Sequence, residues 1–316
     1  MVKPRMRVII DNDFSGDPDD LFQLVHHVLS PSVEIPFVIG SHLSPTDPFD
    51  SSDVQAENAV RIARETLALL GREDDYAVLL GSNVALTSLD TPIRTEAAEA
   101  IVAEAMRDDT DLPLYVALGA GFTELASAYL IEPRIADRLT AIWIGGNEHE
   151  GIAVPPPGAD QVEYNLNIDI LAGQVVFNHS TIPVWQVPRN MYRQCLVSYA
   201  ELDERVRPMG RIGAYMVEAI ERVADGARGH GIEMGETYAL GDSPLVLLTA
   251  LQSAFQPDSA SSFHVTIPTP TLELDGSYTP NAAGRPLRVY TQVDVRLMFE
   301  DLFLKLAAFH RANPTL

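Results

Sequence analysis

Cysteine is nearly absent: Cys195 is alone among 316 residues, so no intrachain disulfide can form and a disulfide-built scaffold is excluded. Basic residues are also scarce, with 22 Lys plus Arg against 44 Asp plus Glu and a formal charge of −22. No basic patch gathers anywhere along the chain, which argues against nucleic-acid binding and against docking on an anionic membrane. Long apolar runs are missing as well. None reaches the about 20 residues that span a bilayer, and the opening MVKPRMRVII lacks an apolar signal core. A cytoplasmic setting is therefore expected. Tandem repeats, low-complexity tracts and a long linker are likewise absent, so one domain over 1–316 is expected.

What is present is an alternation of two periodicities. Short apolar runs at 7–10, 35–39, 76–80, 114–118, 141–144 and 182–187 predict buried strands. Between them, Leu21, Leu24, Val25, Val28 and Leu29 recur at helical spacing, and 54–71 and 95–106 predict two further helices. This pattern predicts an α/β fold: an open, mostly parallel central sheet with helices on both faces. The C-terminal part reads as more helical, with helices over 212–227, 243–255 and 293–309 and with strands and turns across 264–290. The proline-rich 154–158 predicts a loop inside the domain.

The first strand runs straight into DNDFSGDPDD, residues 11–20, which holds five aspartates. A strand period of two places Asp11 and Asp13 on one face at the strand's carboxyl edge. Helical spacing from Leu21 makes Asp17 the expected N-cap, Pro18 the first helical residue, and Asp19 and Asp20 first-turn acids favoured by the helix dipole. Capping accounts for one or two of the five. The remainder would repel one another unless a hard divalent cation sat among them, and oxygen-only ligands favour Ca²⁺ or Mg²⁺ over zinc.

Other strand ends of a parallel sheet should face the same site. They offer Ser41 and His42, then Leu118 and Gly119, then Asn147, Glu148 and His149, while Asp242 stands alone among apolar residues later in the chain. Each has a plain alternative. His42 and His149 read as hydrogen-bonded loop histidines, His26 and His27 as neutral side chains near a helix surface, Asp242 as an N-cap, and Trp143 and Trp185 as core. Glu163 and Asn165, after the proline-rich loop, suit sugar hydroxyls, and Cys195 has no base partner to make it a nucleophile.

Together these segments resemble the inosine-uridine-preferring nucleoside hydrolase family. DNDFSGDPDD is similar to that family's Asp-x-Asp-Pro-Gly-x-Asp-Asp run with two added residues, and VIGS, ALGAGFTELASA, WIGG, VEYNLNID and Asp242 follow in the family's order. The resemblance implies an open α/β fold, a bound Ca²⁺ and hydrolysis of the N-glycosidic bond of a ribonucleoside, often by a homodimer or homotetramer. It implies Asp13, Asp20, Asp242 and the Leu118 carbonyl as metal ligands, with Asp13 also taking a proton from the attacking water. Asp19, Glu163, Asn165 and Ser41 would hold the sugar, and Asp11 and Asp17 would support the turn.

The chain departs from the family pattern at three places. Gly241 stands where a histidine precedes the late aspartate, Ser41 replaces an asparagine, and Pro157 falls where an asparagine is common. His42, Asn147 and His149 are therefore the expected substitutes for leaving-group contact, with a purine, a pyrimidine or another N-linked heterocycle departing. Two other readings are compatible with part of the pattern. One is a non-catalytic Ca²⁺- and ribose-binding descendant. The other is a haloacid-dehalogenase-like phosphatase, whose Asp-x-Asp is followed by Thr or Val rather than Phe14 and Ser15.

Overall fold

The computed structural model describes residues 2–253 and 262–316. Strand β1 (Met6–Asn12) is buried along its whole length, and its alternation sends Val8 and Ile10 into one core and Ile9 into the other. A strand apolar on both sides belongs inside a sheet covered on both faces. The chain continues through β2 (Val33–Glu34), β3 (Phe37–Gly40), β4 (Ala77–Leu80), β5 (Leu114–Leu118), β6 (Leu139–Ile144) and β7 (Val184–Val187). Next come β8 (Leu196–Ser198) and β9 (Thr237–Ala239), which pair with each other, then β10 (Phe263–Pro268), β11 (Thr271–Leu272), β12 (Tyr278–Thr279) and β13 (Pro286–Gln292). The main sheet runs β10-β13-β7-β6-β5-β1-β3-β4, with β2 also against β1; every pairing is parallel except β10 with β13. The expected α/β class and mostly parallel sheet are thus observed.

The helices are α1 (Asp19–Val28), α2 (Gln55–Leu69), α3 (Glu96–Ala105), α4 (Thr123–Ile131), α5 (Tyr164–Ile168), α6 (Ile170–Asn178), α7 (Arg189–Tyr192), α8 (Tyr199–Glu201), α9 (Gly210–Gly229), α10 (Pro244–Leu247) and α11 (Val295–Ala312). One core joins α1, α2, α9 and α11 to the sheet, and the other joins α3, α4 and α6 to its opposite face. Register fixes the functional edge: Asp11 lies beside Leu118 on β5 and Ile39 on β3, so the acidic turn leaves the sheet at its centre. No helix among the described residues is long and apolar enough to cross a membrane.

Three local expectations are corrected. The helix expected over 243–255 is only the single turn of α10, followed by irregular turns to Gln252; residues 254 and 255 lie outside the described residues. Helix α1 begins at Asp19 with Pro18 just ahead of it, so Asp17 is one position too early to cap, and its Oδ1 accepts from Asp19 N at 3.3 Å. His26 and His27 are neutral as expected but fully buried, because α1 packs against both α10 and α11.

Burial pushes the His26 imidazole down to about 4 from its ordinary 6.5, against the opposing hydrogen bond to Asp301 Oδ2 at 2.8 Å. Between those values the unfolded chain binds the extra proton at His26, so the His26 contribution to stability is complete above 6.5 and is lost as pH falls toward 4. On lowering the pH from 7 to 5, the change in unfolding free energy in urea should be about 2 kcal/mol less unfavourable for His26→Gln than for the parent. Equal changes in the two proteins would contradict that role for His26.

Candidate active site

At the carboxyl edge, β1 ends at Asn12 and the chain turns sharply, with Gly16 N donating to Asp13 O at 2.7 Å. The turn separates two carboxylates that strand alternation alone would have aligned. Asp11 remains in the strand and accepts from Ser41 Oγ, beside Glu124 of α4. Asp13 has left the strand and faces Asp242, Asp47 and Asp17. Asp242 arrives from the other side of the cleft on the link between β9 and α10, where its backbone N–H donates to Asp19 Oδ2 at 3.0 Å. Asn12, level with Gly40 at the end of β1, donates to Asp242 Oδ2 at 2.6 Å.

The resulting cleft, of about 180 Å³, is lined by Asp13, Asp17, Asp19, Glu163, Asn165 and Asp242, with Tyr164 and Tyr192 among its walls. Asp20 is buried beneath it, and both of its carboxylate oxygens lack any hydrogen-bond partner, as does Asp13 Oδ2. Burial holds the Asp13 carboxyl well above its ordinary range, and repulsion from Asp242 and Asp47 adds to the shift. Burial does the same to Asp20, with Asp13 and Asp242 as the next causes. Asp242 is pushed up to about 7 by burial, against the Asn12 hydrogen bond, and Asp17 to about 6 by burial against its bonds from Tyr238 and Asp19.

Unpartnered buried carboxylate oxygens are costly, and a hard cation satisfies them with the ligand type it prefers. The donor set therefore fits a divalent ion. Among the described residues no three His, Cys, Asp or Glu side chains form a ready-made ion cage. Leu118 ends β5 beside Asp11, immediately before Gly119, whose Cα faces Asp242 Oδ2 and the Asn12 amide.

Gly119 is the position where close approach forbids a side chain. A Cβ there would lie 2.1 Å from Asp242 Oδ2 and 2.5 Å from the Asn12 amide atoms. Gly119→Ala should cost about 1–3 kcal/mol through displacement of the Asn12–Asp242 pair. Thermal melting and divalent-ion titration should both register the change, and an unaltered melt with unaltered ion affinity would contradict the packing described.

Glu163 and Asn165 reach the cleft from the start of α5. Glu163 accepts from Gly146 N at 2.6 Å, Leu166 N at 3.0 Å and Tyr192 Oη at 2.8 Å, while Asn165 donates to the carbonyls of Gly119 and Ile144, both at 2.8 Å. The other expected contacts lie elsewhere. Ser41 is buried behind β1 on Asp11 and Glu124. His42 bonds Leu43 O at 2.9 Å and Thr123 Oγ1 at 3.1 Å. His149 bonds Gln186 Oε1 at 2.8 Å and stacks on Tyr278. Asn147 is spent locally, accepting from Glu163 N at 2.8 Å and donating to Gly276 O at 2.9 Å. The three substitutes expected for Gly241 are thus committed to the scaffold.

Tyr192 and Asp47 were not found from the sequence. The Tyr192 ring lies 3.1 Å from where a Cβ on Gly241 would sit, so it fills the room a residue-241 side chain would take. Asp47, in the loop between β3 and α2, accepts from Tyr164 Oη at 2.5 Å and brings another acid toward Asp13. Tyr192 follows β7, and the same strand-end rule that located the other residues would have reached it. Asp47 sits in an aperiodic stretch with no comparable signal.

A mostly parallel sheet whose central carboxyl edge gathers buried acids around a small cleft defines an open α/β protein with its ligand-binding edge at that cleft. The chain belongs to the inosine-uridine preferring nucleoside hydrolase family, whose model matches residues 8–300. It is 29% identical over 191 residues to the inosine-uridine preferring nucleoside hydrolase of Leishmania major, a match covering 58% of this chain and 55% of that protein. The match thus spans about half the length of that relative. Among solved structures, the purine-preferring ribonucleoside hydrolase from Gardnerella vaginalis aligns with a TM-score of 0.71 at 18% identity, covering 97% of this chain and 99% of that one. An inosine-guanosine nucleoside hydrolase aligns with a TM-score of 0.69 at 20% identity, covering 96% and 99%. These similarities show the shared fold.

Proposed function

We propose that this protein hydrolyses the N-glycosidic bond of a ribonucleoside or related N-riboside, releasing ribose and the free base, with Ca²⁺ as its cofactor. The observation that supports this reading is the burial of Asp13, Asp20 and Asp242 close together, with Asp13 Oδ2 and both Asp20 oxygens unpartnered, beside a cleft that Asp19, Glu163 and Asn165 line. Asp13, Asp20, Asp242 and the Leu118 carbonyl would hold the ion. Bound there, Ca²⁺ would supply Lewis-acid charge that lowers the pKa of a coordinated water.

The remaining work belongs to the chain's own groups. Asp13 takes the proton from water as the oxygen bonds to C1′, and the C1′–N pair departs with the base. Burial and acidic neighbours raise the proton affinity of Asp13, which suits a general base. Asp19, Glu163 and Asn165 orient the ribose, and the three donors on Glu163 fix its carboxylate before substrate arrives. Asp11 and Asp17 support the turn through Ser41 and Tyr238. The departing nitrogen must acquire a proton, and Gly241 supplies none, so solvent is its source in this reading.

Product analysis tests the assignment. Purine and pyrimidine ribonucleosides incubated with the Ca²⁺-loaded protein should give equimolar ribose and base, with no phosphate released from phosphomonoesters. Phosphate release, or ribose binding without hydrolysis at stoichiometric protein, would move the chain to one of the two other readings. A non-catalytic role is not favoured, since the family to which the chain belongs is one of nucleoside hydrolases. A cytoplasmic setting fits the single buried Cys195, and a homodimer or homotetramer remains part of the proposal.

A further inference from the structure

The acidic cleft, at about 180 Å³, is smaller than the roughly 300 Å³ at which small-molecule sites begin. Its volume suits a pentose and leaves the leaving group to be housed elsewhere. A second cavity of about 590 Å³ adjoins it, and Phe49 lines both. The two are also continuous along the chain, because Phe14, Ser15, Gly16 and Pro18 of the expanded turn line the larger cavity while Asp13 and Asp17 line the smaller.

The larger cavity is apolar, walled by Phe14, Leu21, Ile62, Ala219 and Val223. Its polar lining groups include Arg222 and His230, at the carboxyl-terminal half of α9 and just beyond it. Phe49 is 38% exposed and Ile232 58% exposed, and apolar side chains left open beside a cavity mark a contact surface for an apolar ligand. The wall is firmly built: Gln55 donates to Ser44 O at 3.0 Å and Asp50 O at 2.6 Å, and Ser15 Oγ donates to Gln55 O at 3.2 Å. Those bonds tie the loop that carries Phe49 to the expanded turn.

We infer that the leaving group passes Phe49 into this apolar compartment, and that the preferred substrates are N-ribosides whose heterocycle carries an apolar extension of about aryl size. The inference rests on the N-riboside reading above and names its substrate class. The two added residues of the acidic turn, together with the Phe49 loop, then act as specificity elements rather than as a change in the ribose site.

Free bases test the compartment without requiring turnover. Calorimetry on the Ca²⁺-loaded protein should give 6-phenylpurine a dissociation constant at least about tenfold below that of purine, about 1.4 kcal/mol. Val223→Trp and Ala219→Phe, which fill the cavity from α9, should each erase that preference; two variants are used so that one that misfolds by thermal melting can be set aside. In parallel, the ribosides of the two bases are assayed for ribose release. Preferential binding of 6-phenylpurine with no ribose released from either riboside would uphold the compartment and overturn the hydrolase reading. Ribose release with equal binding of the two bases, or a preference that survives cavity filling, would overturn the compartment alone.

Discussion

Replacing Asp13 with asparagine is expected to lower ribose release by about a thousandfold, within the roughly 10²–10⁴ range of a positioned general base. The same substitution should raise the melting temperature measured without divalent cation. Both effects have one cause. Asp13 is buried among Asp242, Asp47 and Asp17, and its Oδ2 has no partner, so its charge is unfavourable to the fold and available to the chemistry. An amide of the same shape removes the charge and can donate to the neighbouring acids, which relieves on the order of 1 kcal/mol or more. Steady-state assays and melts on the same preparations check the pair of outcomes. Lost activity with a lowered melting temperature would assign Asp13 a structural role instead.

The second large effect is the response of stability to pH and to the cation. Asp242 titrates at about 7 and Asp17 at about 6 in the folded chain, against an ordinary 3.8. Between those values the folded state binds more protons at these two carboxyls than the unfolded one, so without a divalent ion their contribution to stability is greatest below 3.8 and falls as pH rises toward 7. For Asp242 alone the loss amounts to about 4 kcal/mol. Bound Ca²⁺ should offset most of it, because a ligand held only by the folded state adds about 2.7 kcal/mol at a hundredfold excess over Kd. For a chain of this length that is roughly 4 °C in Tm. Melts at pH 5 and pH 7 with chelator and with Ca²⁺ should show a cation effect that grows with pH. A cation effect that is equal at both pH values would contradict this origin.

Much of the sheet was legible because parallel strands covered on both faces announce themselves as uninterrupted apolar runs; the runs at 7–10, 114–118 and 141–144 all fall inside strands. Helix α4 was harder to read. Its sequence TELASAYLI is apolar on nearly every side, so it carries little amphipathic period. The acidic turn was legible as a charge concentration but not as a conformation. Residue alternation aligned Asp11 with Asp13, whereas the turn after Asn12 separates them. Charge among apolar neighbours identified Asp242, and the VEYNLNID segment after the proline-rich loop identified Glu163 and Asn165. Tyr192, just beyond β7, was within reach of the strand-end rule, whereas Asp47 depends on where an aperiodic loop folds back, which residue type does not encode locally. His42 and His149 stand at strand ends, and the plainer reading of them as hydrogen-bonded loop histidines holds: Leu43 O and Thr123 Oγ1 engage both ring nitrogens of His42, and Gln186 Oε1 engages Nε2 of His149.

The claim on which the rest depends is that Asp13, Asp20 and Asp242 together hold one divalent ion. Calorimetric titration of chelator-treated protein with Ca²⁺ tests it most directly, with Asp20→Asn alongside, because Asp20 has two unpartnered oxygens and no substrate role. One ion per chain is predicted for the parent, with affinity at least a hundredfold weaker in Asp20→Asn while that variant still melts cooperatively. Absence of binding to the parent, or undiminished affinity in a folded Asp20→Asn, would contradict the account.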